Sequence, residues 1–136
     1  EISFVTSALM QIDLDTKIMT YAKAGHTDSL LIHDNGEIES LSTDGIFLGM
    51  FDDPKYEEKQ IQLKSRDTIV CYTDGITETR SPNGELYGVQ RFQEFLSINK
   101  NMPAKKLIQN IYEELEKFSK SKEISDDSTI LIISIS

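Results

Sequence analysis

Thr68-Ile69-Val70-Cys71-Tyr72-Thr73-Asp74-Gly75 is the stretch on which the fold of this chain turns. Its first five residues carry no charge and are mostly apolar and β-branched, the composition of a strand covered on both faces and therefore central in a sheet. An acid and a glycine follow immediately, so the strand ends abruptly and its exit carries a carboxylate. Glycine at that point permits a tight turn and keeps the exit open.

The segments before it alternate like strands. Phe4 to Ile12 places Phe4, Ala8, Met10 and Ile12 on one face, and Asp13-Leu14-Asp15-Thr16 reads as a turn. Lys17 to Ala24 alternates again, with Ile18, Thr20, Ala22 and Ala24 on one face, completing a hairpin. Leu30 to His33 is a third strand. Asp34-Asn35-Gly36 predicts a hairpin turn of type I′, since Asn-Gly accepts positive φ, and Ile38 to Leu41 is the return strand. Thr43 to Lys55, with Gly45, Gly49 and Pro54, is a loop; Tyr56 to Leu63 is a half-exposed strand and Lys64 to Asp67 a turn.

Helical spacing appears only afterwards. Gly88 to Ile98 aligns Val89, Phe92, Phe95 and Leu96, and Pro103 to Lys120 aligns Leu107, Ile108, Ile111, Tyr112, Leu115 and Phe118, with Pro103 in the first turn. A last apolar strand runs from Thr129 to Ile135. Strands first and helices late predict an α+β fold with an antiparallel sheet.

Composition narrows the function. The 136 residues suit one domain or part of one. The formal net charge of −9, from 23 acidic and 14 basic residues, opposes nucleic-acid binding, which needs clustered Lys and Arg. No run approaches the ~20 apolar residues that cross a bilayer. The apolar, β-branched opening residues Glu1 to Val5 are expected to be strand sequence and not a signal peptide. The lone Cys71 excludes an internal disulfide and a cysteine metal cluster, and it reads as a core thiol.

The chemistry-bearing residues are acids at strand ends. Asp74 leaves the strand that ends at Tyr72, and Asp126-Asp127 precede the last strand. If those two strands pair antiparallel, the exit of one lies beside the start of the other, and the carboxylates converge. Oxygen donors without nearby Lys or Arg suit Mn2+ or Mg2+. The plainer alternatives are a turn at Asp74-Gly75 and a solvated loop at Asp126-Asp127. Asp52-Asp53-Pro54 reads as a turn. His26 and His33 have no nucleophile partner, and no P-loop or nucleophile elbow occurs.

Six motifs in order resemble one family: Phe4-Val5-Thr6, Tyr21-Ala22-Lys23-Ala24-Gly25-His26, Leu48-Gly49, Tyr72-Thr73-Asp74-Gly75-Ile76-Thr77-Glu78, Gly84-Glu85-Leu86-Tyr87-Gly88, and Asp126-Asp127-Ser128-Thr129. The series is similar to the sporulation stage II E and stress-regulator phosphatases, a bacterial branch of the metal-dependent type 2C protein serine/threonine phosphatases. The resemblance implies an antiparallel β-sandwich flanked by helices, with a two-metal Mn2+ or Mg2+ site at one edge. It implies metal ligation by Asp74 and Asp126, with Asp127 and Gly75 as secondary members. It also implies hydrolysis of phosphoserine or phosphothreonine on a cytoplasmic regulatory protein, an anti-anti-sigma factor being the natural expectation.

The family's upstream Asp strand and Gly-His-Gly segment are absent, and His26 does not replace them. Residues 1–136 are therefore expected to be the C-terminal portion of one phosphatase domain, incomplete at its N-terminal strands. On its own this portion is expected to be weak or inactive, and to self-associate through exposed sheet edges. The alternative function is a non-catalytic interaction module that keeps the fold.

Overall fold

The structure, a computed structural model, describes residues 3–121 and 127–136. Among these residues seven strands and two helices follow in the order β1 (Ser7–Ile12), β2 (Ile18–Ala24), β3 (Ser29–Ile32), β4 (Ile38–Leu41), β5 (Lys59–Gln62), β6 (Thr68–Tyr72), α1 (Gly88–Ile98), α2 (Ala104–Ser119) and β7 (Ile130–Ser134). Two antiparallel sheets result, one ordered β1-β2-β5 and the other β4-β3-β6-β7. This is the expected α+β sandwich flanked by helices.

The alternation of β3 and β6 explains the layers. Leu31 and Ile69 point toward the smaller sheet and pack with Met19, Tyr21, Leu41 and Leu63. Leu30, Ile32, Val70 and Tyr72 point the other way and pack under Phe92 and Leu96 of α1 and Leu107, Ile111 and Leu115 of α2. A strand covered on both faces has no polar side, which is why Thr68 to Tyr72 reads as a continuous apolar run. The strand β6 is internal in its sheet, as that run predicts. Each fully buried Leu, Ile or Phe there stabilises the fold by about 1.5–3 kcal/mol relative to exposure.

The structure alters four expectations. On β2 the core-facing residues are Met19 and Tyr21, while Ile18 is 37% exposed. The two larger side chains of the odd-numbered face take the core between the sheets, and of the even-numbered face only Ala24 is buried. The turn after β3 is not type I′. Only Gly36 has positive φ (91°), whereas type I′ needs it at both central residues. Gly36 N–H donates to the His33 carbonyl and His33 N–H to the Glu37 carbonyl, a three-residue loop with glycine in the left-handed position. Strand β1 begins at Ser7, and Val5 instead forms an isolated bridge with Leu48, leaving Phe4 and Val5 exposed. Finally, Pro103 lies ahead of α2 with ψ 143°, its carbonyl accepting the Leu107 N–H, so it caps the helix rather than entering its first turn.

Among the described residues no helix is long and apolar enough to cross a membrane. Cys71 lies half-buried between the sheets with its thiol toward the Met10 sulfur, the place of a packing residue.

Candidate metal centre

The two strands that carry the acidic segments are neighbours. β6 pairs antiparallel with β7 in a register running from Thr68 opposite Ser134 to Tyr72 opposite Ile130. The ladder continues one step further: Thr73 N–H donates to the Thr129 carbonyl at 3.1 Å. Thr73 Oγ1 accepts the Thr129 N–H at 2.9 Å. Asp74, exposed, thus leaves the sheet beside the segment that leads into β7, where Asp127 is also exposed.

Gly75 marks the contact between them. It is buried, and it does not have a positive φ. What requires glycine is space: a Cβ there would stand 2.6 Å from the Asp127 carbonyl oxygen. After Gly75 the chain makes a helical turn, in which Ile76 N–H donates to the Thr73 carbonyl and Glu78 N–H to the Asp74 carbonyl. Two buried threonines close that turn, Thr77 donating its hydroxyl to the Asp74 carbonyl at 3.2 Å and Thr79 to the Gly75 carbonyl at 3.0 Å. The backbone around Asp74 is therefore satisfied locally. Its carboxylate has no hydrogen bond or ion pair among the described residues.

Asp126, the other expected ligand, lies outside the described residues. Among those that are described, no group of three or more His, Cys, Asp or Glu is close enough to hold a metal ion. The donor chemistry present, exposed carboxylates and carbonyls with no cysteine, fits a hard divalent cation such as Mn2+ or Mg2+ and supplies part of a coordination set.

One acid escaped the sequence reading. Asp28 precedes β3, and because β3 pairs with β6 with Leu30 opposite Val70, it stands at the same end of the larger sheet as Asp74. It is engaged, bound to Lys23 and accepting the Ser40 hydroxyl at 3.1 Å. Partial burial opposes its ionisation, but hydrogen bonds from Lys23, Ser42 and Ser40, with the Lys23 charge, hold its carboxyl below the usual range. Burial, reinforced by the Asp28 charge, pushes the neighbouring Tyr72 hydroxyl up to about 12. Its partners, Lys23 five residues before it and Ser40 twelve after, form no recognised motif, so Asp28 could not be found from spacing.

Among the described residues, neither histidine makes a hydrogen bond or ion pair with Asp74. Gly25, φ 64°, and Gly45 bring the end of β2 against the following loop, where Gly25 N–H donates to the Gly45 carbonyl, and His26 follows in that crossing. His33 Nδ1 lies 3.2 Å from Oδ1 of the buried Asp67, linking the β3–β4 turn to the β5–β6 turn.

Comparison with known proteins places these features. The profile of the stage II sporulation protein E (SpoIIE) family matches residues 1–136. Phosphoserine phosphatase RsbU of Bacillus subtilis is 28% identical over 131 residues, covering 96% of this chain and 38% of the relative. The SiaA-PP2C domain of Pseudomonas aeruginosa superposes with a TM-score of 0.85 at 20% identity, over 98% of this chain and 53% of that one. The phosphatase domain of SpoIIE from Bacillus subtilis, presoaked with manganese, gives 0.73 at 23% identity, over 96% and 56%. At these identities the structural likeness concerns the fold, and the chain spans little more than half of either solved chain.

Proposed function

The chain belongs to the stage II sporulation protein E (SpoIIE) family, and from that membership we propose that residues 1–136 are the C-terminal portion of a metal-dependent protein serine/threonine phosphatase domain. The observation that carries the proposal is the β6–β7 ladder, which sets Asp74 beside the lead-in to β7 at one end of the sandwich.

In this proposal Asp74 and Asp126 are metal ligands, with Asp127 and Gly75 in supporting places. The metal would be Mn2+ or Mg2+, two ions in the intact domain; when bound, they lower the pKa of a coordinated water and offset phosphoryl charge. The chain's own contribution is to hold Asp74 out of the sheet on a closed turn, so that its carboxylate faces outward with its backbone already hydrogen-bonded.

The proposed substrate is phosphoserine or phosphothreonine on a cytoplasmic regulatory protein. Phosphoserine is what the name of the Bacillus subtilis relative states for that protein; an anti-anti-sigma factor is our inference from the family resemblance. Among the described residues no full coordination set is present, and from the family's missing upstream segment we infer weak or no turnover from this portion. The exposed Phe4, Val5 and Leu9 along the β1 edge, Leu9 being 72% exposed, support self-association of that portion. A strictly monomeric species in concentrated light scattering would end that part of the proposal.

The deciding experiment uses the full-length protein. Phosphate release from a phosphoserine peptide with added manganese should fall roughly a hundredfold or more in Asp74→Asn. Turnover unchanged by Asp74→Asn, or by removal of divalent metal, would overturn the assignment and favour an interaction module that keeps the fold.

A further inference from the structure

Thr73 has a bonding pattern that a strand residue does not need. In an antiparallel pair, every second pair of opposed residues exchanges both N–H and C=O bonds, and Thr73 opposite Thr129 falls at such a position. Thr73 and Thr129 make only half of that exchange through the backbone: Thr73 N–H reaches the Thr129 carbonyl, but the Thr73 carbonyl turns away to accept the Ile76 N–H at 3.1 Å. The Thr129 N–H would then lose its partner. It is taken by Thr73 Oγ1 at 2.9 Å, and the same hydroxyl can donate to the Asp127 carbonyl at 3.5 Å. The side chain thus replaces the departed carbonyl and keeps the last rung closed while the backbone leaves the sheet.

We infer that Thr73 is a positioning residue for the metal-binding acid that follows it. Its hydroxyl lets the chain turn out at Asp74 one residue after the ladder ends, and it ties that exit to the lead-in of β7. With the hydroxyl removed, the Thr129 N–H loses its acceptor, and the two strand ends are coupled only by the single Thr73 N–H bond. The spacing between Asp74 and the Asp127 segment is then no longer fixed. This rests on the proposal that Asp74 binds metal.

The test is manganese titration of the full-length protein. Thr73→Val keeps shape and β-branching but removes the hydroxyl, and it should raise the manganese dissociation constant on the order of tenfold, the usual cost of losing a residue that orients a ligand. Thr73→Ser restores the hydroxyl and should bind as the wild type does. Ser97→Ala removes a hydroxyl bonded to the Gly36 carbonyl at 2.8 Å, at the opposite end of the larger sheet, and should leave affinity unchanged. Amide hydrogen exchange at Thr129 should quicken in Thr73→Val and not in Thr73→Ser. Thr73→Ala carries the same expectation as Thr73→Val and serves if the latter does not fold.

Wild-type affinity in Thr73→Val, with loss in Asp74→Asn, overturns the positioning role and leaves the metal site standing. Equal weakening in Thr73→Val and Ser97→Ala shows a general stability effect and also overturns it. Undiminished binding in Asp74→Asn removes the metal site itself.

Discussion

Gly75→Ala is the substitution in which steric, stability and site effects come from one number. The added Cβ would meet the Asp127 carbonyl oxygen at 2.6 Å, the Asp127 carbonyl carbon at 3.2 Å and Ser128 Cα at 3.5 Å. Ordinary contact begins at 3.4 Å, so the obstructing oxygen must retreat by the difference, 3.4 minus 2.6, or about 0.8 Å. The obstacle is backbone, and it cannot rotate aside as a side chain would. The Thr73–Thr129 bonds hold that backbone against β6.

Overpacking of this kind costs about 1–3 kcal/mol. Gly84→Ala provides the contrast. Gly84 has φ 82° with nothing within 4 Å of its Cβ direction, so its cost is backbone strain alone, about 1–2 kcal/mol. Urea denaturation of the full-length protein should therefore show both variants destabilised. Manganese titration should separate them, with Gly75→Ala weakened and Gly84→Ala unchanged, because only the first displaces the lead-in to β7. A Gly75→Ala protein within about 0.5 kcal/mol of the wild type, and with the same manganese affinity, would refute the close approach and the coupling drawn from it.

Two further predictions concern proton equilibria. Burial pushes Tyr72 and Tyr87 up to about 12, helped by Asp28 for the first and Glu114 for the second, so two of the five tyrosines should titrate well above 10.0 by tyrosinate absorbance. A raised folded-state pKa favours the neutral form, so this stabilisation is complete below pH 10.0 and is lost as pH rises toward 12; Tyr72→Phe should flatten that alkaline limb, and five tyrosines titrating together near 10.0 would contradict it. Asp28 runs the other way: its folded pKa is depressed, so its contribution is present above 3.8 and is lost as pH falls through the folded value. Asp28→Asn should make acid denaturation less steep by under about 1 kcal/mol, the scale of a partly exposed pair, and an unchanged acid midpoint would show the Lys23 and Ser40 bonds to be idle.

Legibility in the sequence followed the range of the forces involved. β6 and α1 appear with the limits that their apolar periodicity predicts, since burial on a fixed period leaves a local mark. The adjacency of Asp74 to the β7 lead-in was also legible, because two apolar strands ending and starting in acids have few other ways to pair. The orientation of β2 was not. Both its faces carry apolar residues, and the choice of Met19 and Tyr21 over Ile18 depends on the partner sheet. Asn35-Gly36 marked a turn correctly but not its type, which depends on how many residues the register leaves between the strands. Asp28 and the Thr73 hydroxyl were invisible for a related reason. Their meaning lies in partners that the topology supplies, Thr129 being 56 residues from Thr73 in sequence.

That topology also makes the site and the sheet edge one problem. Among the described residues β7 is the edge strand of the larger sheet, with Leu131 54% exposed, and it pairs there with β6 only. A cation that bridged Asp74 and the acidic lead-in would therefore clamp the ladder at the very end where the backbone turns away. Binding only to the docked state stabilises that state by RT ln(1 + [L]/Kd), about 2.7 kcal/mol at a hundredfold excess over Kd. Linkage works in both directions, so if Asp74 holds the cation as proposed, a change that loosens the β6–β7 ladder weakens cation binding in proportion to the docked fraction it removes. On the proposed assignment Thr73 is where that exchange is made: its side chain accepts the Thr129 N–H at the residue where its main chain leaves the sheet ahead of Asp74.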